Sequence, residues 1–418
     1  MRLLLAMLLA GSLVAPEDSV FIQDATPLIR EAWQPLARGL SISPASTPTA
    51  GNEVRFLHHA PDFRESLMQD FASAGRQIEI ECFLFGTDST GKKVADVMAQ
   101  KAAEGVEVRY VHDFLGNLFG RSSNDPFFTG IISGMDKKGI LKRDLSPIYN
   151  ARRLIYPFYS NHRKIYIIDK EIAYAGGMNL NTHSMVAWDD SQVRLKGPSA
   201  ACMHEIFKLH WNEAARLKPN EPSKLAVRGP APSTASGAIV QTIGDGSDAP
   251  FHITQDALVW VLEHASKYVW METPYFTPTR PLLNAMKDAA ARGVDVRVLM
   301  CNASDMGIVD PVSYYYAGVC AKAGIKVMMR TGLFNHSKTF LSDDYLGCVS
   351  SANIDKLSLK RLSEILAIVY DEAAALRLKE QFLAGFDDSA EYTPQDADSR
   401  TAGQKVTETL LLPFDFLM

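Results

Sequence analysis

Residues 161–179 read NHRKIYIIDKEIAYAGGMN, and residues 335–353 read NHSKTFLSDDYLGCVSSAN. Each stretch opens on Asn-His-x-Lys, enters a strand-like run, reaches an Asp, and closes on two small residues and an Asn. The two histidines are 174 residues apart. The same offset relates Lys164 to Lys338, Asp169 to Asp343, Gly176 and Gly177 to Ser350 and Ser351, Asn179 to Asn353 and, farther on, Asp190 to Glu364. A repeat that keeps its polar residues in register repeats chemistry as well as fold.

The flanks repeat too. IEIECFLF (78–85) reads as a strand, GKKVADVMAQKAAEG as a helix and VEVRYVHD as a second strand; YVWMETPYF (268–276), RPLLNAMKDAAARG and VDVRVLMC follow the same order. Strand–helix–strand with a short glycine turn implies a parallel pair with a right-handed crossover. The fold expected is therefore α/β, with two similar α/β/α halves in one chain. The Pro-, Gly- and Ser-rich stretch 218–237 reads as a linker. The chain then divides into a lead-in (1–50), a first half (51–217), the linker (218–237), a second half (238–390) and a polar tail with an apolar close (391–418).

In a strand, residues two apart share a face, so each His stands beside the Lys of its motif. Each Asp falls on the opposite face, which suits Asp169 and Asp343 to a structural role. If the halves meet, His162, His336, Lys164, Lys338, Asn179 and Asn353 converge. Two lysines and two asparagines make an anion clamp suited to a phosphate. Two histidines in such a clamp suggest a nucleophile and a general acid, with a phosphohistidine between the two steps. Each imidazole needs one nitrogen fixed, and Asp190 and Glu364 are the carboxylates at matching distance to do this.

The remaining histidines carry less. His58 and His59 point apart if extended, and His204 and His210 sit on a helical pattern without an i+4 partner. IGDGSDAP (243–250) lacks the Lys-Ser/Thr of a phosphate loop and reads as a turn. The chain has 418 residues, 47% hydrophobic and 22% charged, with a net charge of −5. That is globular composition with no global attraction to nucleic acid. Five scattered cysteines show no CxxC pair or Cys/His ligand spacing, which speaks against a zinc site and for buried free thiols.

Near the N-terminus, one Arg precedes an apolar run that would span roughly 20 Å as a helix, short of a hydrocarbon core. It matches the length of a signal-peptide core or a short anchor. In PLIREAWQPLARGL, Trp33, Leu36 and Leu40 share a helical face that Pro35 interrupts; the segment reads as a short cover over the core or an interfacial helix. Residues 114–160 interleave FLGNLFG, DPFFTGIISGM and LIYPFYS with lysines and arginines, a pattern that suits an anionic membrane surface. The closing LLLPFDFLM could pack on the core or touch a membrane.

The paired HxKx4D motifs, each followed by small-small-x-Asn, resemble the phospholipase D superfamily over residues from about 50 to 390. WDDSQVRLKGP, ETPYFTP and SSANIDKLSLKRLSEI look closer still to bacterial cardiolipin synthases. The resemblance implies two α/β/α halves in one chain whose mixed or parallel sheets pack face to face around one active site, with no metal and no cofactor. It suggests His162 as nucleophile and His336 as acid, and its post-motif carboxylates match Asp190 and Glu364. Its reaction would be phosphatidyl transfer between two phosphatidylglycerols, giving cardiolipin and glycerol. A phospholipid hydrolase and a metal-independent nuclease or phosphodiesterase are the alternatives. The expected partner is phospholipid at an anionic membrane surface, with no nucleic acid. The expected location is the bacterial inner membrane, peripherally or by the short N-terminal anchor. The sequence departs from the family at Asp189 and Gln192, where Arg and His are usual, and at Leu357, where Arg is usual.

Overall fold

The strand–helix–strand spacing is realised twice. The computed structural model describes residues 20–113, 116, 132, 134–145, 160–215, 225–230, 236–246 and 252–418. The apolar N-terminal run, most of the aromatic and basic stretch at 114–160, and most of the 218–237 stretch lie outside the described residues.

In chain order the first strands are β1 (Val20–Asp24), β2 (Thr49–His59), β3 (Gln77–Cys82), β4 (Glu107–His112), β5 (Leu141–Asp144), β6 (Lys164–Ile168), β7 (Ile172–Gly176), β8 (Asp189–Lys196) and β9 (Leu225–Pro230). The second half supplies β10 (Ala238–Asp245), β11 (Tyr268–Glu272), β12 (Asp295–Cys301), β13 (Lys326–Arg330), β14 (Thr339–Ser342), β15 (Leu346–Ser350), β16 (Glu364–Tyr370) and β17 (Ser389–Glu391). The sheet order is β2-β8-β7-β6-β3-β4-β5 in one half and β10-β16-β15-β14-β11-β12-β13 in the other, with β17 added outside β13. Strand for strand, the two orders match. β3 through β5 and β11 through β13 run parallel, as the crossover helices Ser89–Ala103 and Arg280–Ala291 require. Asp88 caps the first of these helices, accepting the amides of Thr90 and Gly91.

The halves join in two ways. β2 pairs with β10, so both sheets run into one 15-stranded sheet. The inner faces also meet across an apolar layer, as the expected face-to-face packing requires. Ile165, Ile167, Ala175 and Val193 of the first half share it with Val349, Ile365, Ala367 and Val369 of the second. Each half has a further core on its outer side. Phe63, Leu67, Phe71, Val94 and Met98 pack over the first sheet, and Leu258, Val261, Leu282 and Met286 over the second.

Several local expectations change. The strand read at 78–85 stops at Cys82 because the Leu84 amide turns to the Asn179 side chain. The strand read at 268–276 stops at Glu272, ahead of Pro274, which has no amide to give the ladder. Pro35 does not interrupt its helix; it lies in the first turn of Gln34–Leu40, where an amide is not needed. Trp33, Leu36 and Leu40 are buried in the second-half core. Within the stretch read as a linker, β9 pairs in parallel with β1. Of the stretch read as a turn at 243–250, residues 243–245 belong to β10. The tail forms helices Pro394–Ser399 and Ala402–Leu411 and a final 3-10 turn, Leu412–Leu417.

The hairpins β6–β7 and β14–β15 explain the motif aspartates. Asp169 and Lys170 have φ of 54° and 60°, and Asp343 and Asp344 have φ of 53° and 56°. Asp tolerates this left-handed region better than most residues. The Asp169 carboxylate accepts the amides of Gly75, Arg76 and Gln77, each at 2.8 Å. Asp343 does the same for Ser266, Lys267 and Tyr268. Each therefore ties its hairpin to the start of the neighbouring strand, at the opposite end of that strand from the His-Lys pair.

Candidate active site

His162 and His336 precede the first residues of β6 and β14, and each is held by the opposite half. The His162 amide donates to the Ser363 carbonyl at 2.9 Å, and the His336 amide to the Asp189 carbonyl at 2.7 Å. The side chains cross in the same way. His162 Nδ1 lies 3.0 and 3.2 Å from the two carboxylate oxygens of Glu364. His336 Nδ1 lies 2.6 Å from Asp190 Oδ2. The sequence offset pairs each His with a carboxylate of its own half; the fold exchanges them. Neither motif histidine therefore finds its carboxylate within its own half.

The lysines and asparagines take their places around these rings. Lys164 Nζ donates to the His162 carbonyl at 2.7 Å, and Lys338 Nζ donates to the His336 carbonyl. Each ammonium keeps further donors for an anion. Asn179 Oδ1 accepts the Leu84 amide at 3.2 Å, which orients its amide group. Asn353 is buried beside Asp355. Phe83 meets the His162 ring edge-on at 5.1 Å between centroids, and Trp188 lies 5.0 Å from the His336 ring.

The small-small pair has a different use in each half. A Cβ on Gly177 would stand 2.1 Å from Asp190 Oδ1, so only glycine leaves room for that carboxylate. At the equivalent place in the second half, the Ser351 hydroxyl donates to Glu364 Oε2. Asp190 receives the Ser191 amide at 2.7 Å instead.

These differences separate the two carboxylates electrostatically. Burial pushes Glu364 up, but His162, Lys164 and the Ser351 hydroxyl more than reverse this and leave it below the usual carboxylate range. Burial dominates at Asp190 and holds its pKa up at about 7. Burial lowers His162 against the pull of Glu364, and lowers His336 further, with Lys338 and Lys164 adding to the effect. Burial also brings Lys164 down to about 7 and lowers Lys338. At neutral pH, His162 and Glu364 therefore hold one proton as neutral imidazole and carboxylate. His336 and Asp190 keep an extra proton up to about pH 7. A pair this close titrates as a unit.

Other residues complete the frame. Arg163, fully buried, donates to the carbonyls of Glu364 at 2.8 Å and Asp245 at 2.9 Å. Its counterpart Ser337 accepts the Ser191 hydroxyl at 2.9 Å. The residue between His and Lys thus reaches across to the segment bearing the other half's carboxylate. No sequence signal marked Arg163, Ser337 or Phe83 for this. His204 and His210 are buried partners of Glu79 and Glu81, at 2.7 and 2.5 Å. His58 is half-buried beside the Ser191 hydroxyl, while His59 is exposed and pairs with Asp189. Asp189, where the sequence resemblance leads one to expect Arg, binds Arg330 at 2.7 Å, so the second half sets a guanidinium beside that position. Gln192 accepts the Met178 amide. Among the described residues, no group of three or more His, Cys, Asp and Glu is placed to hold a metal ion.

The family model described as cardiolipin synthase, PLD-like domain, matches residues 67–211 and 258–385, one match in each half. The chain belongs to this family. It is 29% identical over 373 residues to a cardiolipin synthase of Oceanobacillus iheyensis, covering 87% of this chain and 74% of that protein. It is 29% identical over 370 residues to cardiolipin synthase 1 of Bacillus cereus, covering 86% and 71%. Among solved structures it resembles phosphatidylserine synthase of Haemophilus influenzae, with a TM-score of 0.68, 13% identity and coverage of 93% and 98%. At that identity the likeness is one of fold.

Proposed function

We propose that this chain is a phosphatidyltransferase of the cardiolipin synthase type. It would move a phosphatidyl group from one phosphatidylglycerol to another through a phosphohistidine, releasing glycerol. Similarity to curated cardiolipin synthases over most of the chain supports this reading. The observation that carries the mechanism is the crossed pairing of two buried histidines with two carboxylates in unlike protonation states.

The proton inventory supports one assignment of roles. With Glu364 ionised, neutral His162 donates a hydrogen bond from Nδ1–H to the carboxylate and keeps a lone pair on Nε2. It is the nucleophile. With Asp190 protonated, the carboxylic acid donates to His336 Nδ1, and His336 Nε2 carries the other proton. It is the acid. His162 Nε2 attacks phosphorus as the phosphorus–oxygen bond to glycerol breaks. His336 protonates the leaving oxygen, and Asp190 passes its proton to Nδ1. In the second step, the hydroxyl of an incoming phosphatidylglycerol gives its proton to His336 Nε2 and attacks phosphorus. The phosphorus–nitrogen bond breaks, His162 is restored, and His336 returns its Nδ1 proton to Asp190. Lys164, Lys338, Asn179 and Asn353 hold the non-bridging oxygens throughout. One chain supplies both half-sites, and its partner is phospholipid at a membrane, which places the protein at the membrane surface. Among the described residues, no helix is long and apolar enough to cross a bilayer.

The test is purified full-length protein with labelled phosphatidylglycerol in vesicles. Cardiolipin and glycerol in equal amounts are expected. Phosphatidic acid as the only lipid product would make the chain a hydrolase.

A further inference from the structure

The C-terminal segment carries an apolar ridge that the fold does not cover. Val406, Leu410, Phe414 and Phe416 are 57%, 66%, 54% and 44% exposed. The segment is nevertheless fastened down. Leu411, Leu412 and Met418 pack against the second-half core. Asp415 accepts from Lys356 and from Tyr316 at 2.7 Å, and Arg400 donates to Glu408. One face is thus pinned to the body, and the opposite face presents aromatic and aliphatic side chains to water.

The ridge adjoins the site. The Met418 carbonyl accepts the Leu357 amide at 3.0 Å and the Thr277 hydroxyl at 3.4 Å. Leu357 lies in the segment between Asn353 and Glu364. In that segment the Arg361 guanidinium sits 5.6 Å from the centre of the Phe416 ring, and Lys360 is exposed. Lys405 is exposed at the start of the ridge. Half-exposed side chains of this size present on the order of 100 Å² each. Four of them reach about half of the roughly 800 Å² per partner that a stable dimer needs. A small apolar ridge flanked by cations fits an anionic bilayer, with rings in the interface and cations at the phosphates.

We propose that Leu410, Phe414 and Phe416, flanked by Lys360, Arg361 and Lys405, form a docking surface that inserts into an anionic bilayer and presents the second-half side of the active site to it. This rests on the proposed lipid substrate for its purpose, but the binding can be tested without turnover. Full-length Phe416→Trp protein is mixed with vesicles of phosphatidylcholine alone or with phosphatidylglycerol, each with or without brominated acyl chains. Quenching well beyond that of the unsubstituted protein, at least threefold stronger with phosphatidylglycerol, is expected. A Phe416→Trp signal that bromolipid leaves unchanged overturns the proposal.

The double variant Leu410→Ser/Phe414→Ser gives a second readout. Turnover of vesicle phosphatidylglycerol should fall about tenfold or more, while turnover of a monomeric short-chain phosphatidylglycerol stays unchanged. Equal loss on both substrates would assign the ridge a structural role and overturn the proposal, as would a concentration-dependent dimer that the double variant abolishes. Quenching without turnover of either substrate would support the surface and remove the reaction proposed above.

Discussion

The two half-sites share a motif, a strand order and a backbone frame, yet they hold their carboxylates differently. Around Glu364 there is a serine hydroxyl, a histidine and a nearby lysine, and the carboxylate stays ionised. Around Asp190 there is a glycine that leaves space, one backbone amide and a histidine, and burial wins. In the mechanism proposed above, the side chain that follows the first small residue, Gly177 or Ser351, helps divide the two half-sites into a nucleophile and an acid. The carboxylate that polarises each His comes from the other half, so the halves cannot act apart.

The largest effects should come from the carboxylates. Glu364→Gln is expected to lower kcat by about 10³–10⁴, the size of effect seen when a triad carboxylate becomes an amide and the imidazole takes the wrong tautomer. Asp190→Asn should cost less, about 10², because its carboxyl already works protonated near neutrality. Steady-state kinetics on the two variants checks this; equal losses would erase the division of roles.

Exchanging the small residues comes next. Gly177→Ser copies the second half into the first, but its Cβ would meet Asp190 at 2.1 Å. It should lower kcat by about 100-fold and stability by about 1–3 kcal/mol, as overpacking does. Thermal unfolding and activity on the same preparation read both. The reverse change, Ser351→Ala, opens no clash. It removes one hydrogen bond to a charged group, worth about 1.5–3 kcal/mol, and so about 10–100-fold in rate if the whole effect reaches the transition state. Because Ser351 holds the Glu364 pKa down, its loss should raise that pKa and move the acid limb of the kcat–pH profile upward.

The smallest effect is on stability against pH. Asp190 titrates at about 7 in the folded chain, above its ordinary value of 3.8. An acid with a raised folded pKa binds its proton more tightly when folded, so the stability it contributes is lost as pH rises from about 4 to about 7. Asp190→Asn should therefore gain Tm relative to the unsubstituted protein at pH 8 compared with pH 5. A constant Tm difference across that range would show that Asp190 does not titrate there.

Much of this was legible before the fold. The constant 174-residue offset located the histidines, lysines, asparagines and carboxylates, and the repeated strand–helix–strand spacing located the parallel strands. The exchange of carboxylates was not legible, because an offset within a half says nothing of which half's side chain a ring will meet. The distinction between Gly177 and Ser351 was hidden for a related reason. Both read as small residues in a turn, and their effect depends on a carboxylate 13 positions farther on. Arg163 looked like a strand residue, yet its guanidinium is committed to carbonyls more than 80 residues away. The β1–β9 pair was obscured by the Gly and Pro of AVRGP, residues that ordinarily mark a linker.

The central claim is that His162, polarised by Glu364 from the other half, makes the bond to phosphorus. Rapid quench of the His336→Ala protein with ³²P-phosphatidylglycerol, followed by peptide mapping, tests it most directly. A label that survives alkali, is lost in acid and maps to the peptide bearing His162 is expected, with none in His162→Ala. A label in the His162→Ala protein, on the peptide bearing His336, would reverse the assignment and contradict the account.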